Sequence, residues 1–160
     1  MNISDKIEKI VAEQYGCKWE PAMKNIGDFY ISENEAVNVK SSNVAKNNFA
    51  PNMVSAMKVY DYLRSGNLLY FIFVDYKLKD NNEIDIVYIS DLVPINYIDR
   101  SCLKIQTQGT GVIQMTHKNF HYNPQSEETW IDGLKTAYKT YIGREREKML
   151  RLEKSLGLEK

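Results

Sequence analysis

Cysteine is scarce in this chain: there are two, Cys17 and Cys102, in 160 residues. They lie far apart and show no C-x-x-C or Cys/His spacing, which argues against a disulfide framework and a zinc site and leaves reduced, buried thiols as the plain reading. Net charge is also missing, since 21 basic and 21 acidic side chains cancel. No whole-molecule field therefore draws the protein to nucleic acid or membrane, and an anionic partner has to be held by a local patch. No stretch reaches the roughly 18 apolar residues of a membrane span. The opening "MNISDKIEKI" lacks the apolar segment of a signal peptide. The expected location is cytoplasmic, with no membrane partner. What is present is ordinary globular usage, 43% hydrophobic and 26% charged, in a length that suits one domain over residues 1–160.

Apolar spacing orders the elements. Ile3, Ile7, Ile10 and Val11 recur at helical intervals, with Ser4 or Asp5 as N-cap and Gly16 as a stop, which predicts a helix over 4–15. Pro21 and Gly27 precede "DFYI" and "AVNVK", short apolar runs split by polar "SENE", which is the pattern of a hairpin. A second helix is expected from Pro51 to Gly66, with Met53, Met57 and Tyr60 on one face. "NLLYFIFVDYKL" suits a strand covered on both faces, and "EIDIVYIS" alternates like a half-covered neighbour. Residues 91–125, broken by Pro94, Gly109, Gly111 and Pro124, suggest an irregular hairpin whose glutamines can face a groove. From Ser126 a long helix begins, weakened near Gly143 and charged on most faces at its end, where it either projects or packs on a partner.

Strand alternation puts Asn38 and Lys40 on one face of the second run, with Val37 and Val39 on the other. Asp28 joins the Asn38 face if the hairpin register has matching parity. An acid, an amide and an ammonium then converge at a strand edge. Phosphodiester hydrolysis uses such groups: carboxylate oxygens hold Mg2+ against a phosphate oxygen, and a lysine positions water and offsets transition-state charge. The rival reading is a solvated polar hairpin face, which the spacing alone favours. His117 and His121, four apart in "MTHKNFHYN", lie among aromatics and Pro124 that disfavour a helical ligand pair. "QGTGV" lacks the third glycine of a dinucleotide site.

The order helix, hairpin with acid and lysine, helix, two strands, over about residues 3–90, resembles the core of the PD-(D/E)xK nuclease superfamily. "NVKSSNVAKNNFAPNMVSAMKVYDYL", residues 38–63, is similar to the stretch of HincII-type restriction endonucleases in which Asp-Val-Lys-Thr leads through a polar loop to Ala-Pro-Asn and an apolar helix. The tail "SEETWIDGLKTAYKTYIGREREKML" also resembles that family's last helix. The resemblance implies an α/β (α+β) fold with a mixed central sheet flanked by helices and a long C-terminal helix. It further implies a homodimer that cleaves a short palindromic DNA duplex with Mg2+ and reads a twofold site by twofold symmetry. By position, Asp28 and residue 38 become metal-binding, the Val39 carbonyl contacts the ion, and Lys40 is catalytic. Ser41, Ser42, Asn43, Asn47, Asn48 and Phe49 fall in the DNA-contacting loop, Phe49 where the family presses a side chain on the base stack. Asn52 falls on the base-reading asparagine.

The departure is Asn38, where the family has aspartate. One neutral oxygen replaces two charged ones, which weakens affinity for a hard dication. Three explanations stay open: a form inactivated by an aspartate-to-asparagine change, an acid supplied from elsewhere, with Glu13 on the first helix and Glu35 in the turn as candidates, or decay into a DNA-binding module that does not cleave.

Overall fold

The computed structural model describes residues 1–19, 26–46, 52–116 and 122–158, with the side chains of Asn52 and Met53 outside that description. Helix α1 spans Ile3–Gln14 and is capped two residues before the nearer of the candidates expected from the sequence: Asn2 Oδ1 accepts the Asp5 N–H at 2.7 Å. It ends where Gly16, at φ +66°, lets the Cys17 N–H return to the Ala12 carbonyl and its own N–H to that of Glu13. Ile7, Val11 and Ala12 are buried.

The hairpin forms as the sequence suggests, from β1 (Phe29–Ser32) and β2 (Glu35–Asn43), antiparallel with Phe29 opposite Val37. The helix expected from Pro51 begins later. Residues Asn52–Ser55 are strand β3, and α2 runs Ala56–Arg64 behind a Ser55 N-cap. Tertiary pairing overrides helix propensity there, because β3 finds an antiparallel partner further along the chain and the Ala56 N–H is taken by the Gly111 carbonyl. Strand β4 (Leu68–Leu78) returns parallel to β2, with Asn38 opposite Phe71 and Lys40 opposite Phe73, and β5 (Ile84–Ile89) lies antiparallel at its edge. A parallel pair needs a crossover, and β3 with α2 supplies it.

The interval 91–116 is more ordered than one irregular hairpin. A short strand β6 (Val93–Pro94) pairs with β4, two 3-10 turns follow, and β7 (Leu103–Gln106) forms a hairpin with β8 (Val112–Met115). The result is a mixed sheet in the order β1-β2-β4-β5, with β6 on β4, beside a three-stranded sheet β3-β8-β7. Helix α3 covers Glu127–Ser155 behind the expected Ser126 cap, and it continues through Gly143 without a break. Among the described residues no helix is long and apolar enough to cross a membrane.

Two apolar clusters cover the two faces of the mixed sheet. Ile7, Val11 and Ala12 of α1 meet Val37, Val39, Ile72 and Val74. Ala36, Leu69 and Phe71 meet α2, the smaller sheet and the start of α3. Trp130 anchors the second cluster: it is 1% exposed, donates its indole N–H to the Ile98 carbonyl at 3.3 Å and lies under the Arg100 guanidinium. Replacing it with alanine removes the bulk of that contact, so Trp130→Ala is expected to lower unfolding free energy by about 3–5 kcal/mol in urea titrations. A loss below about 1 kcal/mol contradicts the anchoring role.

Candidate active site at the open end of the first hairpin

Strand β1 begins only at Phe29, opposite Val37, while β2 continues to Asn43, so beyond Val37 the β1 side of β2 has no strand partner among the described residues. Asp28 closes the first gap. Its N–H donates to the Val37 carbonyl at 2.7 Å, and its Oδ2 accepts the Val39 N–H at 2.6 Å, so the side chain takes over the ladder where the backbone leaves it. In a strand the N–H and C=O of one residue point to the same side, which directs the Val39 carbonyl toward this open edge as well. Gly27 makes the approach possible. A Cβ there would lie 2.9 Å from that of Ala36 and 3.2 Å from the Val37 nitrogen.

Asn38 is 6% exposed, the one polar residue among the buried side chains described. Its Nδ2 donates to the Ile26 carbonyl at 3.1 Å, while its Oδ1 is buried with no hydrogen-bond partner among the described residues. An aspartate at this position would turn a carboxylate oxygen toward that carbonyl. The local backbone is thus matched to an amide.

The acid that joins Asp28 comes from α1, and it is Glu8. Its carboxyl is hydrogen-bonded to that of Asp28, and burial, followed by the bond to and charge of Asp28, pushes its pKa from 4.5 up to about 8, with a bond from Trp19 opposing. Two carboxyl groups in contact hold one proton between them. Burial pulls the Lys40 ammonium below the usual lysine range, and the negative charges of Asp28 and then Glu8 work against that fall.

The other candidate acids lie elsewhere. Glu13 is exposed, since five residues on a helix turn it about 140° away from Glu8. Glu35 is occupied in the hairpin turn, with its two oxygens accepting from Ser32 Oγ and the Tyr70 hydroxyl, each at 3.0 Å. Apolar spacing takes Ile3, Ile7, Ile10 and Val11 as the stripe of α1 and does not single out Glu8. Ile10 is only half-buried, while Ala12, four residues beyond Glu8, is fully buried. Glu8 therefore stands on the line of α1 that faces the sheet. The i, i+4 relation to a small residue was the available signal.

Ser41 and Ser42 are half-buried along β2, and Asn43 uses its Oδ1 to accept the Ala45 N–H in the following turn. Asn52 lies in β3 opposite Gln114. Asn47, Asn48, Phe49, His117 and His121 fall outside the described residues. Cys102 is buried and Cys17 half-buried, both as thiols.

No protein-family model matches the chain, and no curated protein sequence does. Among solved structures the NlaIV restriction endonuclease is similar, with a TM-score of 0.53 at 13% identity over 85% of this chain. The chain has a restriction-endonuclease-like fold. It spans 63% of the length of that neighbour.

As a donor set, Asp28, Glu8, the Val39 carbonyl and Asn38 Oδ1 are hard oxygens suited to a divalent cation such as Mg2+. The orphaned Asn38 oxygen and the surplus proton on the carboxyl pair are what such an ion would satisfy and displace. Among the described residues there is no group of three or more His, Cys, Asp and Glu side chains placed to hold a metal, so the set rests on two carboxylates and neutral oxygens.

The raised Glu8 pKa has a definite effect on stability. Between 4.5 and about 8 the folded chain keeps a proton that the unfolded chain has released. The unfolded state then binds fewer protons, so this group makes stability fall as pH rises through that window, and the penalty is complete above it. With divalent ions chelated, Glu8→Gln should melt increasingly above the parent as pH is raised from 4.5 to 8, with the difference level beyond. A difference independent of pH would remove the shared proton from the account.

Proposed function

We propose that the protein is a Mg2+-dependent endonuclease that hydrolyses phosphodiester bonds in duplex DNA, a site-specific enzyme of the restriction type. The convergence of Glu8, Asp28 and Lys40 at the open end of β2 carries this reading, because it sets two acids and a half-buried lysine in a restriction-endonuclease-like fold. Glu8 supplies the acid that residue 38 does not, so the site keeps two carboxylates despite Asn38. That favours a cleaving enzyme over a decayed binding module.

In this reading Glu8, Asp28 and the Val39 carbonyl hold the cation, with Asn38 Oδ1 as a neutral fourth oxygen. Bound there, Mg2+ would supply charge to draw electrons from a phosphate oxygen and to acidify water. Lys40 orients the attacking water by hydrogen bonding and offsets the negative charge that gathers on the phosphoryl oxygens. Water oxygen bonds to phosphorus as the bond to the 3′ oxygen breaks, leaving a 5′ phosphate and a 3′ hydroxyl. The water's proton passes to the carboxylates or to solvent, and the 3′ oxygen is protonated as it leaves. The Asp28 to Val39 bond keeps the carboxylate in place throughout, so little reorganisation accompanies reaction.

The finer assignment to a HincII-type enzyme rests on the stretch 38–63. It carries the expectation of a palindromic target, phosphate contacts from Ser41, Ser42 and Asn43, and base reading by Asn52, in company with Asn47, Asn48 and Phe49.

Incubation of duplex DNA with the protein and Mg2+ should give discrete fragments. Glu8→Ala, Asp28→Ala and Lys40→Ala should each slow cleavage by at least about 100-fold with DNA binding largely kept, whereas Glu13→Ala should cut at the parental rate. Full activity in Glu8→Ala would refute the helix acid. Salt-sensitive DNA binding without cleavage in the parent chain favours the non-cleaving alternative, and neither binding nor cleavage overturns both. Asn52→Ala should weaken cognate binding more than random-duplex binding; an equal loss on both removes it from base reading.

A further inference from the structure

The chain carries no net charge, so a polyanion has to be held where cations are gathered locally. One such place lies on the side of the mixed sheet away from α1. There β7 is the outer strand of the smaller sheet, and the second half of α3 runs beside it. Between them is a recess of about 520 Å3, which Lys104 enters from β7 and Arg144, Lys148 and Arg151 from α3. Steps of four and three residues put those three on one line of the helix, over about 10 Å. None of the four cations has a carboxylate within ion-pair distance among the described residues. Of the two acids in the recess, Glu145 accepts the Thr107 hydroxyl at 3.1 Å, which ties the end of β7 to the helix, and Glu147 is exposed. The adjoining recess, which meets this one at Tyr141 and Glu145, adds Lys135, Lys139 and Arg146 and no further acid.

We propose that this groove binds the phosphate backbone of a nucleic-acid strand, as a contact separate from Glu8, Asp28 and Lys40. The inference rests on the reading of the protein as an enzyme of duplex DNA and extends its DNA-binding surface to α3. Guanidinium groups pair their N–H donors with phosphate oxygens, and a line of cations suits a chain of evenly spaced negative charges. An acidic peptide fits less well, because the apolar lining, Ile105 and Tyr141, is already buried in the core and leaves no hole for a side chain. The groove is also continuous with the proposed base reader. Ile105, Ile113 and Met115 are buried, so the residues that alternate with them, Lys104, Gln106 and Gln114, stand on the outward face of the smaller sheet. Lys104 is opposite Gln114, Gln114 is opposite Asn52, and Gln106 Nε2 donates to Gln114 Oε1. Two strand spacings, about 10 Å, therefore separate the groove's lysine from the position of Asn52. A strand read at Asn52 has its neighbouring phosphates within reach of the groove, and such contacts fix the register in which bases are read.

Fluorescence anisotropy of a labelled duplex of about 30 base pairs, with Ca2+ in place of Mg2+ to prevent cleavage, reads the groove apart from catalysis. Arg144→Gln with Lys148→Gln should reduce the slope of log affinity against log salt by about two and weaken binding at least about 10-fold at about 0.1 M salt. Lys77→Gln with Lys79→Gln, the same loss of charge at the far end of β4, should leave both as in the parent. Glu147→Lys should steepen the slope by about one, a gain that a damaged fold does not produce. If the parent cuts DNA and the Arg144/Lys148 variant keeps the parental slope, the groove is refuted and the nuclease reading stands. A reduced slope in that variant of a parent that never cuts keeps the groove and refutes the nuclease. An equal loss in the Lys77/Lys79 variant, displacement of the duplex by polyglutamate as readily as by unlabelled DNA of equal charge, or a parent that binds no duplex overturns the proposal.

Discussion

The 2.6 Å hydrogen bond from the Val39 N–H to Asp28 Oδ2 is the contact on which the candidate site depends. Ahead of the first residue of β1, β2 would otherwise offer unpaired backbone groups at a half-covered edge, and such groups must be satisfied. A side chain supplies the missing acceptor, and in doing so its carboxylate is held at a fixed point on the sheet. A charged acceptor on a backbone donor makes a short, strong bond. It holds one oxygen of Asp28 and leaves the carboxyl able to share a proton with Glu8. The position of every other group follows, since Lys40 lies one residue beyond the bonded N–H and Glu8 meets Asp28 from above the sheet edge.

Much of the frame was legible because it follows local rules. Period-two alternation placed Asn38 and Lys40 on one face, and Gly27 and the polar "SENE" marked the hairpin. The glycine after α1 and the serine before α3 marked helix ends that the chain indeed uses. What was not legible depends on distant partners. Strand β3 exists because β8, about sixty residues later, pairs with it, and nothing in "NMVS" distinguishes that outcome from a first helical turn. Gly143 looked like a weak point in α3, but a glycine costs an exposed helix only about 1 kcal/mol relative to alanine, which the flanking long side chains tolerate.

Glu8, the acid beside Asp28, was not legible for a related reason. Helical periodicity gives a stripe, but the rotation of that stripe against the sheet is set by packing. Burial of Ala12 in place of Ile10 turns α1 enough to bring Glu8, rather than Glu13, to Asp28. A small residue permits close approach of helix and sheet, which an isoleucine at the same point would prevent. Apolar residues alone therefore pointed to Glu13, which is exposed, and the small residue carried the information that places Glu8 beside Asp28.

Moving an acid from β2 to α1 changes what holds the site together. A carboxylate at position 38 would be rigid with Lys40, two residues along one strand. Glu8 is rigid with Ile7, Val11 and Ala12, whose burial against Val37, Val39, Ile72 and Val74 docks the helix. Docking is opposed by the two carboxyls in contact, and the proton they share relieves that opposition below about pH 8. Above it, or once a cation takes the proton's place, the same two groups either repel or are bridged. Were the proposed cation bound, helix docking and ion binding would be linked through one pair of side chains, each favouring the other. Asn38 could enter that linkage only through its Oδ1, its Nδ2 being tied to the Ile26 carbonyl just ahead of Gly27 and Asp28. It steadies the segment that carries the first acid, which is a role an aspartate at that position would perform less well.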